Sequence, residues 1–223
     1  MHDMFKIKAV IYDMDGVLVD SEPLWEQAEA EVLPLFGLNR DEIFRKYNLI
    51  TTGMRINEVV EMFCKTAPEK KINPTEMADR IIDVTIAKII ASKPILPGVI
   101  ESLAFFKAQG LKIGLASSSA MRVIEAVTDV LNITDYFDVR VSAESLSHGK
   151  PHPEVYLNAA QALHVRPTNC ITIEDSVAGM TATKAARMKS IVIPAKDNHD
   201  NSHWCLADIK LTSLLEVNAQ HLV

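Results

Sequence analysis

An α/β fold, a parallel sheet flanked by helices with an all-helical unit inserted after the first strand, is predicted by three features of the chain. Ala9-Val-Ile-Tyr12 is a short apolar run ending in Asp13 and reads as a fully buried strand. From residue 20 to about 92, strand-like runs vanish and apolar residues recur at helical spacing. After Leu96-Pro-Gly98, helices and strands alternate at the lengths of βαβ units, which need a sheet covered on both faces. The expected division is therefore a core of residues 1–19 and 93–223 and a helical insertion of residues 20–92.

Within the insertion, Pro23 suits the first turn of a helix that places Trp25, Ala28, Val32 and Leu35 on one face. Val59, Val60 and Phe63 mark a second helix, and Met77, Ile81, Ile82, Val84 and Ile89 a third that Pro74 opens. In the core, helices are expected at 99–109, 121–131, 153–163 and 177–186. Strands are expected at 111–116, 139–141, 170–173 and 191–193, and a weaker strand at 209–211 precedes a last helix.

Hydrophobic residues make up 48% of the 223 and charged residues 23%, which predicts a packed core rather than a disordered chain. The net charge of −6 and the lack of a Lys/Arg block argue against binding nucleic acid or an anionic membrane surface. Cys64, Cys170 and Cys205 are odd in number and far apart, which suits a reducing compartment. Residues 1–8 lack a secretory apolar stretch, and the most apolar helical segment, 81–91, is broken by Asp83 and Lys88, so a cytoplasmic protein is expected.

In open parallel sheets a ligand sits beyond the carboxyl ends of the strands. Those ends carry Asp13-Met-Asp-Gly16, Ala116-Ser-Ser-Ser119 and Ile173-Glu-Asp-Ser176, while Lys150 lies in the Gly149-Lys-Pro-His-Pro153 connection. Acidic clusters meeting at one rim repel unless a cation joins them, and oxygen donors suit a hard cation, Mg²⁺ being the usual one beside phosphate. Asp13 and Asp15 are two apart, the spacing of one strand face, and fit a nucleophile with a general acid/base partner. Each member also has a structural reading. Asp-Gly is a common turn, Ser117, Ser118 or Ser119 suits a helix N-cap, as does Asp175 or Ser176, and a single Lys150 is an ordinary loop lysine. Chemistry is favoured by the ordered set, not by any one residue.

That set resembles the four motifs of the haloacid dehalogenase (HAD) superfamily over nearly the whole chain. The runs Asp13-Met-Asp-Gly-Val-Leu-Val-Asp-Ser-Glu-Pro-Leu-Trp25, Gly114-Leu-Ala-Ser-Ser-Ser119, Lys150-Pro-His-Pro-Glu-Val-Tyr156 and Glu174-Asp-Ser-Val-Ala-Gly179 are similar to its sugar-phosphatase branch, the bacterial 2-deoxyglucose-6-phosphate/hexitol-phosphate phosphatases above all. The resemblance implies a HAD-like Rossmannoid core with an inserted all-helical cap. It also implies a Mg²⁺-dependent phosphatase of small sugar or polyol phosphates. Asp13 would form an aspartyl-phosphate and Asp15 would be general acid/base. Asp13, the Asp15 backbone carbonyl and Asp175 would hold the metal, with Glu174 acting through water. Ser117, Lys150 and backbone N–H groups near Ser118 would bind phosphate. Thr52-Gly-Met-Arg55 looks like the cap loop over the substrate: Gly53 gives its turn and Arg55 reaches the phosphate or sugar, unless Arg55 is a surface residue at a helix start. Glu22 and Trp25 near the hinge line the sugar pocket, helix packing being the other role for Trp25.

Two rivals share parts of this pattern. A β-phosphoglucomutase-like mutase has the same core and intermediate, but Trp25 stands where that family aligns an assisting histidine. A phospho-receiver signalling module has a similar acidic cluster, hydroxyl and lysine, but needs neither a ~70-residue insertion nor an acid beside the nucleophile. His148 and His152 are four apart, yet Pro151 and Pro153 preclude a regular helix, so paired metal ligation is not expected. His199, Asp200 and His203 read as a solvated loop. Neither the physiological substrate nor the oligomeric state follows from the sequence.

Overall fold

The computed structural model describes residues 6–49 and 51–222, so most of the segment read above for a secretory stretch, residues 1–5, lies outside the described residues. Strand β1 (Ala9–Tyr12) is buried along its length. The helices α1 (Glu22–Val32), α2 (Arg40–Tyr47), α3 (Ile56–Lys65) and α4 (Pro74–Ser92) follow before any further strand. Then come α5 (Val99–Ala108), β2 (Lys112–Ser117), α6 (Met121–Val130), β3 (Val139–Ser142), α7 (Glu154–Ala162), β4 (Cys170–Glu174), α8 (Val177–Ala185), β5 (Lys189–Val192) and β6 (Ile209–Lys210).

The six strands form one sheet in the order β3-β2-β1-β4-β5-β6. Every pairing is parallel. Side chains alternate between its faces as a period of two requires. Val10, Tyr12, Ile171 and Ile173 join the core that α5 and α6 cover, while Ala9, Ile11 and Cys170 join the one under α7 and α8. The strand order reverses beside β1, with β2 on one side and β4 on the other. The crevice of such a sheet opens at that switch point, where the chain leaving β1 runs between its two neighbours.

Helices α1 to α4 enclose an apolar cluster of their own, which includes Ala28, Val32, Val60, Phe63, Met77 and Ile81. The amphipathic spacing of α4 continues past that cluster, because Ile82 and Ile89 pack into the sheet's core instead. The segments leading into and out of the helical insertion lie side by side: Leu96 N donates to Leu18 O at 3.0 Å and Asp20 N to Pro94 O at 2.9 Å.

Two expected features differ. Leu35 does not join the buried face of α1 but is 67% exposed. The α-helix ends at Val32 and Leu33–Phe36 continues as a 3₁₀ turn around Pro34, whose tighter period rotates Leu35 off the face. The last helix is two 3₁₀ turns, Leu214–Glu216 and Ala219–Leu222. Ser213 and Asn218 side chains there take backbone N–H groups that an α-helix would have used. Among the described residues no helix is long and apolar enough to cross a membrane.

Candidate active site

Because β1 and β4 are neighbours in register, their carboxyl ends bring Asp13 beside Glu174 and Asp175; Asp13 N donates to Ile173 O at 2.9 Å. One carboxylate oxygen from each of the three acids lies within 4.8 Å of the other two. The turn after β1 makes room for this. Gly16 has φ +75°, and a Cβ there would overlap the Asp175 carboxylate, so the glycine serves approach as well as conformation. Gly179 plays the same part on α8, where a Cβ would overlap the Glu174 carboxylate. Ser176 is the N-cap of α8, accepting from Gly179 N at 3.0 Å, which leaves Asp175 free of that duty.

Lys150 enters beneath this group. Its Nζ lies 2.8 Å from Asp13 Oδ1 and 2.6 Å from Glu174 Oε1, and its side chain is 1% exposed. Burial alone would depress the ammonium, but Asp13 and Glu174 hold it well above the ordinary lysine value, so it stays cationic. The Tyr156 hydroxyl also donates to Glu174 Oε1, and its ring lies 5.0 Å from Lys150 Nζ. The other Glu174 oxygen accepts from Asp175 N at 3.2 Å and from the Ser176 hydroxyl at 3.2 Å. Glu174 is thus the fully buried anchor of the group.

Asp15 is held from two sides. Oδ1 accepts from the Ser21 hydroxyl at 2.5 Å and from Trp25 Nε1 at 3.1 Å. Oδ2 accepts from the Ser119 hydroxyl at 2.7 Å and lies 3.5 Å from that of Ser117. None of Ser117, Ser118 and Ser119 caps α6, whose N-cap is Ala120. Ser117 Oγ instead accepts from Ser119 N at 3.0 Å, and Ser118 donates to Gly53 O at 2.8 Å.

Charge decides what this arrangement tolerates. Asp13, Glu174 and Asp175 face a single lysine. Burial, ahead of the neighbouring carboxylates, pushes Asp13 up to about 7 and Asp175 well above its ordinary range. A compact set of oxygen donors short of positive charge fits a hard divalent cation.

A pocket opens in front of these groups, lined by Asp13, Asp15, Ser117, Ser118, Ser119 and Asp175 below and by Glu22, Trp25, Thr52 and Gly53 from the helical segment above. The Thr52 hydroxyl donates to Glu22 Oε1 at 2.8 Å, tying the loop to α1. Arg55 does not reach this pocket, contrary to expectation. It is the N-cap residue of α3, and its guanidinium turns away to pair with Glu58 at 2.6 Å and to donate to Leu146 O at 2.5 Å. Leu146 O, Ala143 O and Glu58 Oε1, all outside the pocket, accept from its two terminal nitrogens while the buried Nε has no partner, so it clamps the insertion onto the loop ahead of Lys150.

Sequence reasoning missed Ser21, Ser119, Tyr156 and Glu29. Ser119 had a signal, since it ends the Ser-Ser-Ser run. Glu29 had none: it lines the pocket from α1, with Oε2 2.7 Å from Arg40 Nε, and burial pushes it up despite that partner.

The family model for haloacid dehalogenase-like hydrolases matches residues 7–187. The chain belongs to the haloacid dehalogenase-like hydrolase family. Hexitol phosphatase B of Escherichia coli strain K12 is 44% identical over 219 residues, covering 98% of this chain and 97% of that protein. Fructose-1-phosphate phosphatase of the same organism is 30% identical over 183 residues, covering 82% and 94%. The crystal structure of β-phosphoglucomutase from Clostridium difficile superposes with a TM-score of 0.82 at 28% identity, covering 96% and 95%. Phosphatases recur among the relatives, and this HAD hydrolase is a phosphoric monoester hydrolase.

Proposed function

We propose that this HAD phosphatase hydrolyses small sugar or polyol phosphates, residues 20–92 serving as the cap over the core. The reading is carried by one observation: Asp13, Asp15, Asp175 and Ser117–Ser119 face a pocket roofed by Glu22, Trp25 and Thr52, with Glu174 buried behind Asp13 and Asp175. Carboxylates, a hydroxyl and an indole suit a polyhydroxylated leaving group, and the hexitol and fructose-1-phosphate phosphatase relatives support that class.

Asp13, Asp175 and the Asp15 backbone carbonyl would hold Mg²⁺, Glu174 acting through water. Bound there, the ion would neutralise the anionic nucleophile and phosphoryl oxygens. Asp13 attacks phosphorus and the P–O bond to the sugar breaks, giving an aspartyl-phosphate; Asp15 protonates the departing oxygen. In the second half Asp15 takes a proton from water, whose oxygen attacks phosphorus and releases Asp13 with inorganic phosphate. Ser117, with backbone N–H groups near Ser118, steadies the phosphoryl oxygens. Lys150, already against Asp13, offsets the charge that builds up. Closure of the cap excludes bulk water, with the Arg55 clamp and the Ser118–Gly53 bond joining it to the core.

The test is a phosphate-release screen over sugar, polyol and nucleotide phosphates with Mg²⁺. Preference for hexitol or ketose phosphates is expected, and equal turnover of nucleotides would sink the substrate class. The β-phosphoglucomutase likeness supports a mutase as the second reading; an isomerised sugar phosphate without free phosphate would establish it.

Asp15→Asn should slow turnover about 10²- to 10⁴-fold, the usual yield of general acid/base catalysis. Aspartyl-phosphate should then outlast a rapid acid quench, and an unchanged steady-state rate would remove Asp15 from the role.

Metal affinity should depend on pH. Asp13 rises from its ordinary 3.8 to about 7 on folding, so it favours the metal-free fold below 3.8 and loses that contribution as pH climbs through 7. A cation competes with that proton. The rise in melting temperature caused by Mg²⁺ should therefore be larger at pH 8 than at pH 6; an equal rise at both would contradict the assignment.

A further inference from the structure

A second group of metal-ligating side chains lies outside the active site, on the loop between β3 and α7. His148 and His152 are both exposed, and their rings sit 4.8 Å apart. The two prolines do bar a helix here, but a tight turn achieves what a helix would have. His152 N donates to Gly149 O at 2.9 Å, which folds the chain back so that residues 148 and 152 face the same side. Glu154, the first residue of α7, completes the group, with one donor atom from each residue within 4.8 Å of the other two. His152 Nδ1 lies 3.7 Å from Glu154 Oε2. Two ligands on one tetrahedral ion with bonds of about 2.0–2.1 Å stand roughly 3.4 Å apart, so small rotations of exposed side chains are enough.

We propose that His148, His152 and Glu154 form a separate binding site for a transition-metal dication such as Zn²⁺, with an open position left for water. Two imidazoles and one carboxylate are the ligand chemistry of such ions, whereas the all-oxygen cluster of the active site suits Mg²⁺. The two sites thus differ in the ion they prefer. The loop is also pre-ordered, which lowers the cost of binding. Arg55 holds Leu146 O at one end, Lys150 Nζ is fixed between Asp13 and Glu174 in the middle, and α7 begins at the other end. Nothing in the phosphatase reading above requires this site.

The test is calorimetric titration of Zn²⁺ into tag-free, full-length protein in saturating Mg²⁺, beside the variant His148→Ala/His152→Ala. The wild-type chain is expected to bind one Zn²⁺, and the variant to lose at least about tenfold in affinity. Co²⁺ should give a visible absorption band with the wild type that the variant lacks. Circular dichroism and phosphatase activity in Mg²⁺ should match, since both histidines are exposed and neither touches the catalytic group. Binding of equal affinity to the two proteins would mean that Zn²⁺ enters the Asp13–Asp175 cluster instead, and would overturn the proposal. Absence of Zn²⁺ binding by the wild type would overturn it as well.

Discussion

Asp13→Asn is expected to lower turnover by at least about 10⁴-fold while leaving the fold intact, the scale on which removal of a nucleophile acts. Asparagine keeps the volume of the side chain, which is only 6% exposed, so no cavity opens. What it lacks is the anionic oxygen that lies 2.8 Å from Lys150 and among the ligating oxygens of Glu174 and Asp175. The melting temperature should stay close to that of the wild type. The variant loses a pairing with Lys150, but it also loses a carboxylate that burial makes costly to ionise. Steady-state assay and intact-mass detection of the phosphoenzyme together check this. More than a tenth of wild-type activity, or a phosphoryl adduct still formed, would show that another residue attacks phosphorus.

Lys150→Met should damage both stability and rate. It fills most of the lysine's volume but leaves Asp13 and Glu174 buried without their common cation, a change of the kind that costs about 3–5 kcal/mol. For a chain of this size that is roughly a 10 °C fall in melting temperature. The sign with pH separates charge from packing. Lowering the pH protonates the stranded carboxylates, so the deficit should shrink in acid if it is electrostatic and persist if it comes from lost contacts. Turnover should fall about 10³-fold or more, because the phosphoryl group loses a nearby positive charge. A variant as stable and active as the wild type would remove Lys150 from both roles.

How far the site was legible follows from what each residue does. Asp13, Asp15, Ser117 and Asp175 stand at or just past strand ends, and buried apolar runs mark strand ends well in sequence. Glu174 was visible for the same reason, but its depth was not. That depends on Tyr156, one turn into α7, and on Gly179 of α8 having no side chain. Such contacts join elements far apart in the chain and have no periodicity to announce them. Arg55 was misplaced because its position beside the pocket loop is local, whereas its acceptors, Leu146 O and Ala143 O, are set by tertiary packing. The histidine pair was dismissed on helical geometry when a turn supplied the same proximity. Leu35 failed for a simpler reason: Pro34 changed the period in mid-pattern.

The side-by-side segments at Leu18–Asp20 and Pro94–Leu96 have a wider meaning. Their hydrogen bonds bring the two ends of the excursion together, so the insertion leaves and rejoins the sheet at a single place. Each doubling of such a loop adds only about 0.6 kcal/mol of closure entropy. Lengthening or substitution of the roof away from Ser21, Trp25, Gly53, Arg55, Ile82 and Ile89, residues that touch the core, therefore opens it to new substrates without refolding the scaffold that performs the chemistry.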